Sequence, residues 1–242
     1  MLAVAILIGW TVASAGPQPP GNAARSDDGA PAKAPGASEE KPPEWPLKPK
    51  PSWTRVARDF PLWVDLKHKQ VIVGGHIALR RGQLEMFACP RGTKEHESVV
   101  AVHAPARFVH AALLAAGAKP GHPVRFEPKY VPATGTVVDV EVIWRDKSGK
   151  VKKVRAQELV KNVRTGKAMT GHWVFGGSGF WTDKETGKRY YYADGGELIC
   201  LSNFATATLD LPIRSSAANS ALLFRAFTER IPPRRTPVLL VL

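Results

Sequence analysis

The chain has 242 residues, 44% hydrophobic and 23% charged, which excludes a collagen-like or wholly disordered protein and fits one folded domain with something appended. Its 34 Lys and Arg against 21 Asp and Glu leave a formal charge of +13. A surface of that sign favours anionic or neutral partners over cationic ones.

Residues 2–15 (LAVAILIGWTVASA) form an uncharged apolar run that ends in Ala13-Ser14-Ala15, the small-x-small pattern of a signal-peptidase site. The run is shorter than the roughly 20 residues needed to cross a bilayer. Residues 1–15 are therefore expected to be a signal peptide cleaved after Ala15, with an uncleaved apolar anchor as the alternative, although no Lys or Arg precedes the run. No cysteine follows it to carry a lipid. The expected location is the periplasm or cell envelope, with membrane attachment only through a retained N-terminus.

Residues 16–52 are rich in Pro and Ala and hold few large aliphatic side chains, so they cannot bury enough apolar surface to offset ordering entropy. They read as a disordered linker whose charges cancel. The excess charge then belongs to a domain spanning residues 53–242.

In that domain short apolar runs alternate with turn residues. Leu62 to Val64 and Val71 to Val73 read as a hairpin, Gln83 to Cys89 and Ser98 to His103 as further strands. Thr136 to Trp144 alternates Val138, Val140, Val142 and Trp144 with Asp139, Glu141 and Ile143, and turns at Asp146-Lys147-Ser148-Gly149 into Val151 to Ala156. A second turn, 183–188, joins Phe180-Trp181 to Tyr190-Tyr191-Tyr192. Leu198 to Leu201 and Val238 to Leu242 complete the strands. Ala106 to Ala116 has a Pro at its entry and Gly117 past its end, and Ala217 to Arg230 stops before Ile231-Pro232-Pro233; both read as helices. The expected class is α+β: a single domain with a mostly antiparallel sheet and two main helices.

Chemistry-bearing residues are sparse. Cys89 and Cys200 are the two cysteines, and in an exported protein such a pair is a disulfide candidate, with two buried thiols or a metal or redox role left open. His96, His103 and His110 recur at intervals of seven, with Glu97 beside the first. With Cys89 they form an alternative set for one transition metal ion, zinc or copper. Glu95-His96-Glu97 lacks the second His of HExxH, however, and the leading expectation is that the domain carries no cofactor. Gly176-Gly177-Ser178-Gly179 reads as a glycine bend, because Phe180 stands where a GxSxG nucleophile loop needs glycine. No nucleophile, base and acid set can be assembled, so an enzyme is the lesser expectation.

Two surface features say more. Nine bases from Arg145 to Lys167, among them Lys152, Lys153 and Arg155, face only Asp146 and Glu158, a local net of +7. Directly after them, seven aromatics crowd into twenty residues, including Trp173, Trp181, Tyr190, Tyr191 and Tyr192. Bases beside aromatic rings suit stacking on nucleic acid, which an exported chain seldom meets. In the envelope they suit an anionic polysaccharide, phospholipid headgroups or an acidic protein.

The segments TKEHESVVAVHAPARFVHAALLAAGAKPGHPV (93–124), HWVFGGSGFW (172–181), DGGELICLSNF (194–204) and LDLPIRSSAANSALLF (209–224) occur in this order and resemble the YdjY-domain proteins of bacteria. The resemblance covers nearly all of the chain from Phe60 to Leu242. It implies an exported or envelope protein behind a signal peptide and a proline-rich linker, and carries no established activity. Positions Cys89, Glu95, His96, Glu97, Trp173, Gly177, Ser178 and Cys200 match its pattern. Iron–sulfur modules accompany some relatives, but two cysteines cannot hold such a cluster alone. The resulting expectation is a non-enzymatic binding module for an anionic or carbohydrate-bearing envelope partner.

Overall fold

The computed structural model describes residues 43–216 and 222–242. The expected leader and most of the expected linker lie outside the described residues.

The elements, in chain order, are β1 (Thr54–Arg55), β2 (Leu62–Asp65), β3 (Gln70–Ile77), β4 (Met86–Pro90), a 3-10 turn (Glu95–Glu97), β5 (Ser98–Val102), helix α1 (Ala106–Ala115), β6 (Val137–Val138), β7 (Glu141–Arg145) and β8 (Val151–Arg155). A 3-10 turn (Ala156–Leu159) leads to β9 (Val160–Asn162), then β10 (Trp173–Phe175), β11 (Phe180–Thr182), β12 (Arg189–Tyr191) and a third 3-10 turn (Tyr192–Gly195). The chain ends with β13 (Ile199–Cys200), β14 (Leu209–Asp210), β15 (Phe224–Ala226) and β16 (Pro237–Val241).

Twelve of these strands join in one sheet, whose main path runs β6-β10-β14-β13-β4-β5-β3-β16-β7-β8, with β2 and β1 branching from β3. Strands β6 and β7 stand near opposite ends of that path, yet only Asp139 and Val140 separate them in the chain. The three Cα steps from Val138 to Glu141 span at most about 11 Å, so the sheet has to curl back on itself like an unclosed barrel. The Ala156 N–H donates to the Val140 carbonyl at 2.8 Å, which ties this crossing to the far end of β8.

The inner face and α1 share one large core. Val71, Val73, Val100, Val102, Val142, Val238 and Leu240 are all buried in it, together with Ala106, Val109, Ala112 and Leu113 of α1. The helix starts after Pro105 and closes at Gly117, where φ is +95° and the Ala118 N–H donates to the Leu113 carbonyl. A Cβ disfavours that left-handed backbone, so glycine belongs there. On the outer face, Trp63, Ile72, Ile143, Leu239 and Val241 form a second cluster. Trp45, Leu47 and Trp53 pack over it, so the stretch from 43 to 52, assigned by composition to the linker, lies against the sheet.

The two-helix α+β expectation is overturned: the described residues are mostly β and contain one α-helix. Of the helix expected over Ala217 to Arg230, residues 217–221 lie outside the described residues. Phe224–Ala226 is a strand paired antiparallel with β9, Phe224 opposite Asn162 and Ala226 opposite Val160. Phe224 and Ala226 are buried while Arg225 is exposed, a period of two that three residues are too few to declare. Thr136 to Trp144, expected as one strand, is broken at Asp139 and Val140 into β6 and β7, which take separate places in the sheet; the remaining expected strands and the 106–116 helix have counterparts close to their expected limits.

Candidate binding hairpin and polar clusters

The aromatic segment folds as a separate two-stranded hairpin, β11 with β12, in which Phe180 opposes Tyr191, Trp181 opposes Tyr190 and Thr182 opposes Arg189. Its turn is built by Asp183, whose carboxylate accepts the Glu185 and Thr186 N–H groups at 2.8 and 3.0 Å, and by Gly187 at φ +67°. Directly opposed residues of an antiparallel pair share a face. One face therefore carries Phe180, Tyr191 and Arg189, whose guanidinium lies 4.2 Å over the Phe180 ring. The other carries Trp181 and Tyr190, stacked with centroids 4.7 Å apart and planes 20° apart, with Tyr192 next along.

Burial separates these rings into two roles. Tyr191 is 4% exposed, while Trp181, Tyr190 and Tyr192 remain 38%, 40% and 41% exposed. The Tyr191 hydroxyl roots the hairpin: it lies 2.9 Å from His110 Nδ1 and 3.0 Å from Thr208 Oγ1, and donates to the Gly177 carbonyl at 3.2 Å. Burial pushes its ionisation up to about 12 and holds the His110 imidazole below its ordinary value, so both are neutral hydrogen-bonding groups at pH 7. Arg107 at the start of α1 ion-pairs with Asp194 just beyond β12. The glycine bend lies in this root, with Gly177 at φ +87° and Ser178 at φ +53°, the Ser178 hydroxyl donating to the Thr206 carbonyl. Trp173 takes no part in the surface. It is fully buried, and its indole N–H donates to the Cys200 carbonyl at 2.7 Å.

Lys152, Lys153 and Arg155 lie on the outermost strand, β8. Each is answered by a carboxylate: Lys152 by Asp146 at 3.6 Å, Lys153 by Glu141 at 2.7 Å and Arg155 by Asp139 at 3.6 Å. Exposed pairs of this kind contribute little to stability, but Lys on an edge strand does discourage sheet-to-sheet association. A cavity of about 400 Å³ at the seam of the curl is lined by Lys69 and also by Asp139 and Glu141, so it presents no single sign of charge.

The alternative metal set does not converge. His96 is exposed, Glu97 lies 3.5 Å from Lys94 Nζ, and His110 is bound to Tyr191. His103 Nε2 instead meets His76 Nδ1 at 2.8 Å, and the other nitrogen of His76 is 3.8 Å from Glu95. Among the described residues no group of three or more His, Cys, Asp or Glu is placed to hold a metal ion. The disulfide expectation fails as well: Cys89 and Cys200 are free and buried. Cys200 packs with Met86, Ala207 and Phe204, and Cys89 is buried in β4. Desolvation raises both thiols above their ordinary value, so they behave as packing groups.

Two clusters escape sequence reasoning. One is the His76–His103 pair, since His76 stands alone in a strand without a motif. The other is Asp210, fully buried, which accepts from the Asn203 amide at 3.1 Å and from the Leu211 N–H at 2.7 Å through one oxygen, while its second oxygen has no partner among the described residues. Burial raises its carboxyl to about 7.

Fold and hairpin together define a β-rich domain with one helix, a curled sheet and an aromatic hairpin standing apart from it. The YdjY domain model matches residues 62–242, and the chain belongs to that family. Neither a curated protein nor a solved structure matches it.

Proposed function

We propose that the domain is a non-enzymatic binding module of the cell envelope whose ligand is an anionic, carbohydrate-bearing polymer, seated on the β11–β12 hairpin. The observation that carries this reading is the Trp181–Tyr190 stack, left more than a third exposed on a hairpin that is rooted in the core through Tyr191 on its opposite face. Flat rings held in place by the backbone lose little conformational freedom on binding, and a sugar ring can lie against their faces. Lys184, Lys188 and Arg189 on the same hairpin outnumber Asp183 and Glu185 and leave it a small positive excess. The bases of β8 are offset by their carboxylates and act only through the chain's overall charge of +13, not by contact. The leader-like run at residues 2–15 supports an envelope location.

The test is fluorescence titration of the full chain with a carboxylated polysaccharide, alginate, against neutral dextran. Quenching or enhancement by alginate, absent with dextran and weakened by salt, is the expected result. Equal indifference to both would remove this reading.

A further inference from the structure

The outer face of the sheet holds a row of basic and imidazole groups unconnected with the aromatic hairpin. Four neighbouring strands, β4, β5, β3 and β16, lie side by side in that order. Ile72 and Leu239 mark the outer face, and alternate residues of a strand share a face. Gly74 and His76 therefore face outward on β3, and Ala101 opposite His76 continues that face to His103 beyond β5. Cys89 opposite Ala101 continues it to Arg91 beyond β4, and Pro237 opposite His76 has Arg235 two residues before it.

The side chains bear out this register. His76 Nδ1 and His103 Nε2 are 2.8 Å apart, and Trp45 meets His103 edge-on at 5.7 Å, closing one flank. Burial holds the His76 imidazole below its ordinary value, Glu95 acts against that, and the charges of Arg91, Arg235 and Arg234 reinforce it. Arg234 is occupied, its Nε donating to the Ala78 carbonyl at 2.8 Å. Arg235 is held at φ +65°, a left-handed backbone that costs a long L side chain energy, and strain of this kind concentrates at functional positions. Three guanidinium groups against one carboxylate leave a net of two positive charges with both imidazoles neutral, and each ring keeps one nitrogen outside the His76–His103 hydrogen bond.

We propose that His76, His103, Arg91 and Arg235 form a binding site for a phosphate monoester. A dianionic, tetrahedral group matches the net charge and can accept from imidazole and guanidinium donors together. The same headgroup chemistry occurs in a soluble phosphomonoester and in phosphatidic acid at a membrane surface.

The test follows the His76 and His103 ring signals by NMR in the full chain, with glycerol 3-phosphate, with vesicles of phosphatidylcholine containing phosphatidic acid, and with chloride at equal ionic strength. Binding raises the titration midpoints of both rings with either phosphate source and not with chloride; which source acts at the lower concentration identifies the origin of the ligand. Arg235→Gly relieves the left-handed backbone and so keeps the fold. It is expected to weaken binding at least tenfold, and Arg91→Ala likewise. Rings that respond to chloride as they do to phosphate, or an Arg235→Gly variant that binds as tightly as the parent, would overturn the proposal.

Discussion

Trp45 lies over Gly74. A Cβ at position 74 would stand 2.7 Å from the far edge of the Trp45 ring and 2.9 Å from Pro61, inside any normal contact distance. The glycine makes a hollow in β3 that the tryptophan fills. The stretch from Trp45 to Trp53 thereby becomes a strap over Trp63, Ile72, Ile143, Leu239 and Val241. Gly74→Ala is expected to lift the strap and destabilise the domain by about 1–3 kcal/mol, read from the urea midpoint. A chain beginning at residue 53 is expected to melt below one beginning at residue 43, because it exposes the outer cluster.

The hydroxyl of Tyr191 is the hairpin's root. Tyr191→Phe keeps the ring against Phe180 and removes the contacts to His110, Thr208 and Gly177. Leaving such buried partners unmet costs about 1–3 kcal/mol, measurable in chemical denaturation. Hydrogen exchange in residues 180–191 is expected to quicken more than in β3 or β16.

Two buried groups tilt stability in opposite directions over the same pH range. The Asp210 carboxyl, raised from 3.8 to about 7, binds its proton more tightly folded than unfolded. Its contribution is complete below pH 3.8, is lost as pH rises towards 7, and is constant above. His103 is lowered from 6.5 to about 4, mainly by burial and then by His76. The folded chain holds that proton less tightly, so stability is complete above pH 6.5 and is lost as pH falls towards 4. Asp210→Asn retains an acceptor for Asn203 and Leu211 and is expected to gain stability relative to the parent at pH 8 but not at pH 4. His103→Gln is expected to gain at pH 4 relative to pH 8. Denaturation midpoints of the three proteins across this range give the two slopes.

The free thiols give a further measurable consequence. Both Cys89 and Cys200 are fully buried, so a thiol reagent is expected to find almost none reactive in the native chain and two after denaturation. Fast native labelling of either residue would contradict this packing.

Strand periodicity carries the sequence reading where the pattern is local. The Asp146 turn and the cap of α1 are each decided within ten residues, and each has its counterpart in the structure, whereas the Val138 to Trp144 alternation conceals a break at Asp139 and Val140 and fails at Ile143, which is buried in the outer cluster. Phe224–Ala226 misleads because its strand partner, β9, lies some sixty residues away, while the preceding alanines favour a helix. The same distance hides the candidate sites. Seven aromatics announce the hairpin, but which of them are buried depends on His110 and Thr208, contributed by α1 and the segment before β14. His76 meets His103 only through the β3–β5 ladder, and nothing in either neighbourhood signals the other. The heptad spacing of His96, His103 and His110 has no structural meaning, because a turn, a strand end and a helix point them to different partners.

If the exposed Trp181–Tyr190 stack is where the ligand sits, calorimetric affinity of the full chain for alginate before and after Trp181→Ala with Tyr190→Ala reads it out. Truncating these half-exposed rings leaves the Tyr191 root intact, so the double variant is expected to fold with a melting temperature only modestly lowered and to lose affinity by tenfold or more, whereas Lys152→Ala with Lys153→Ala lowers it only a few-fold at low salt. Undiminished binding by the ring variant, or a complete loss on removing the two lysines, would contradict it.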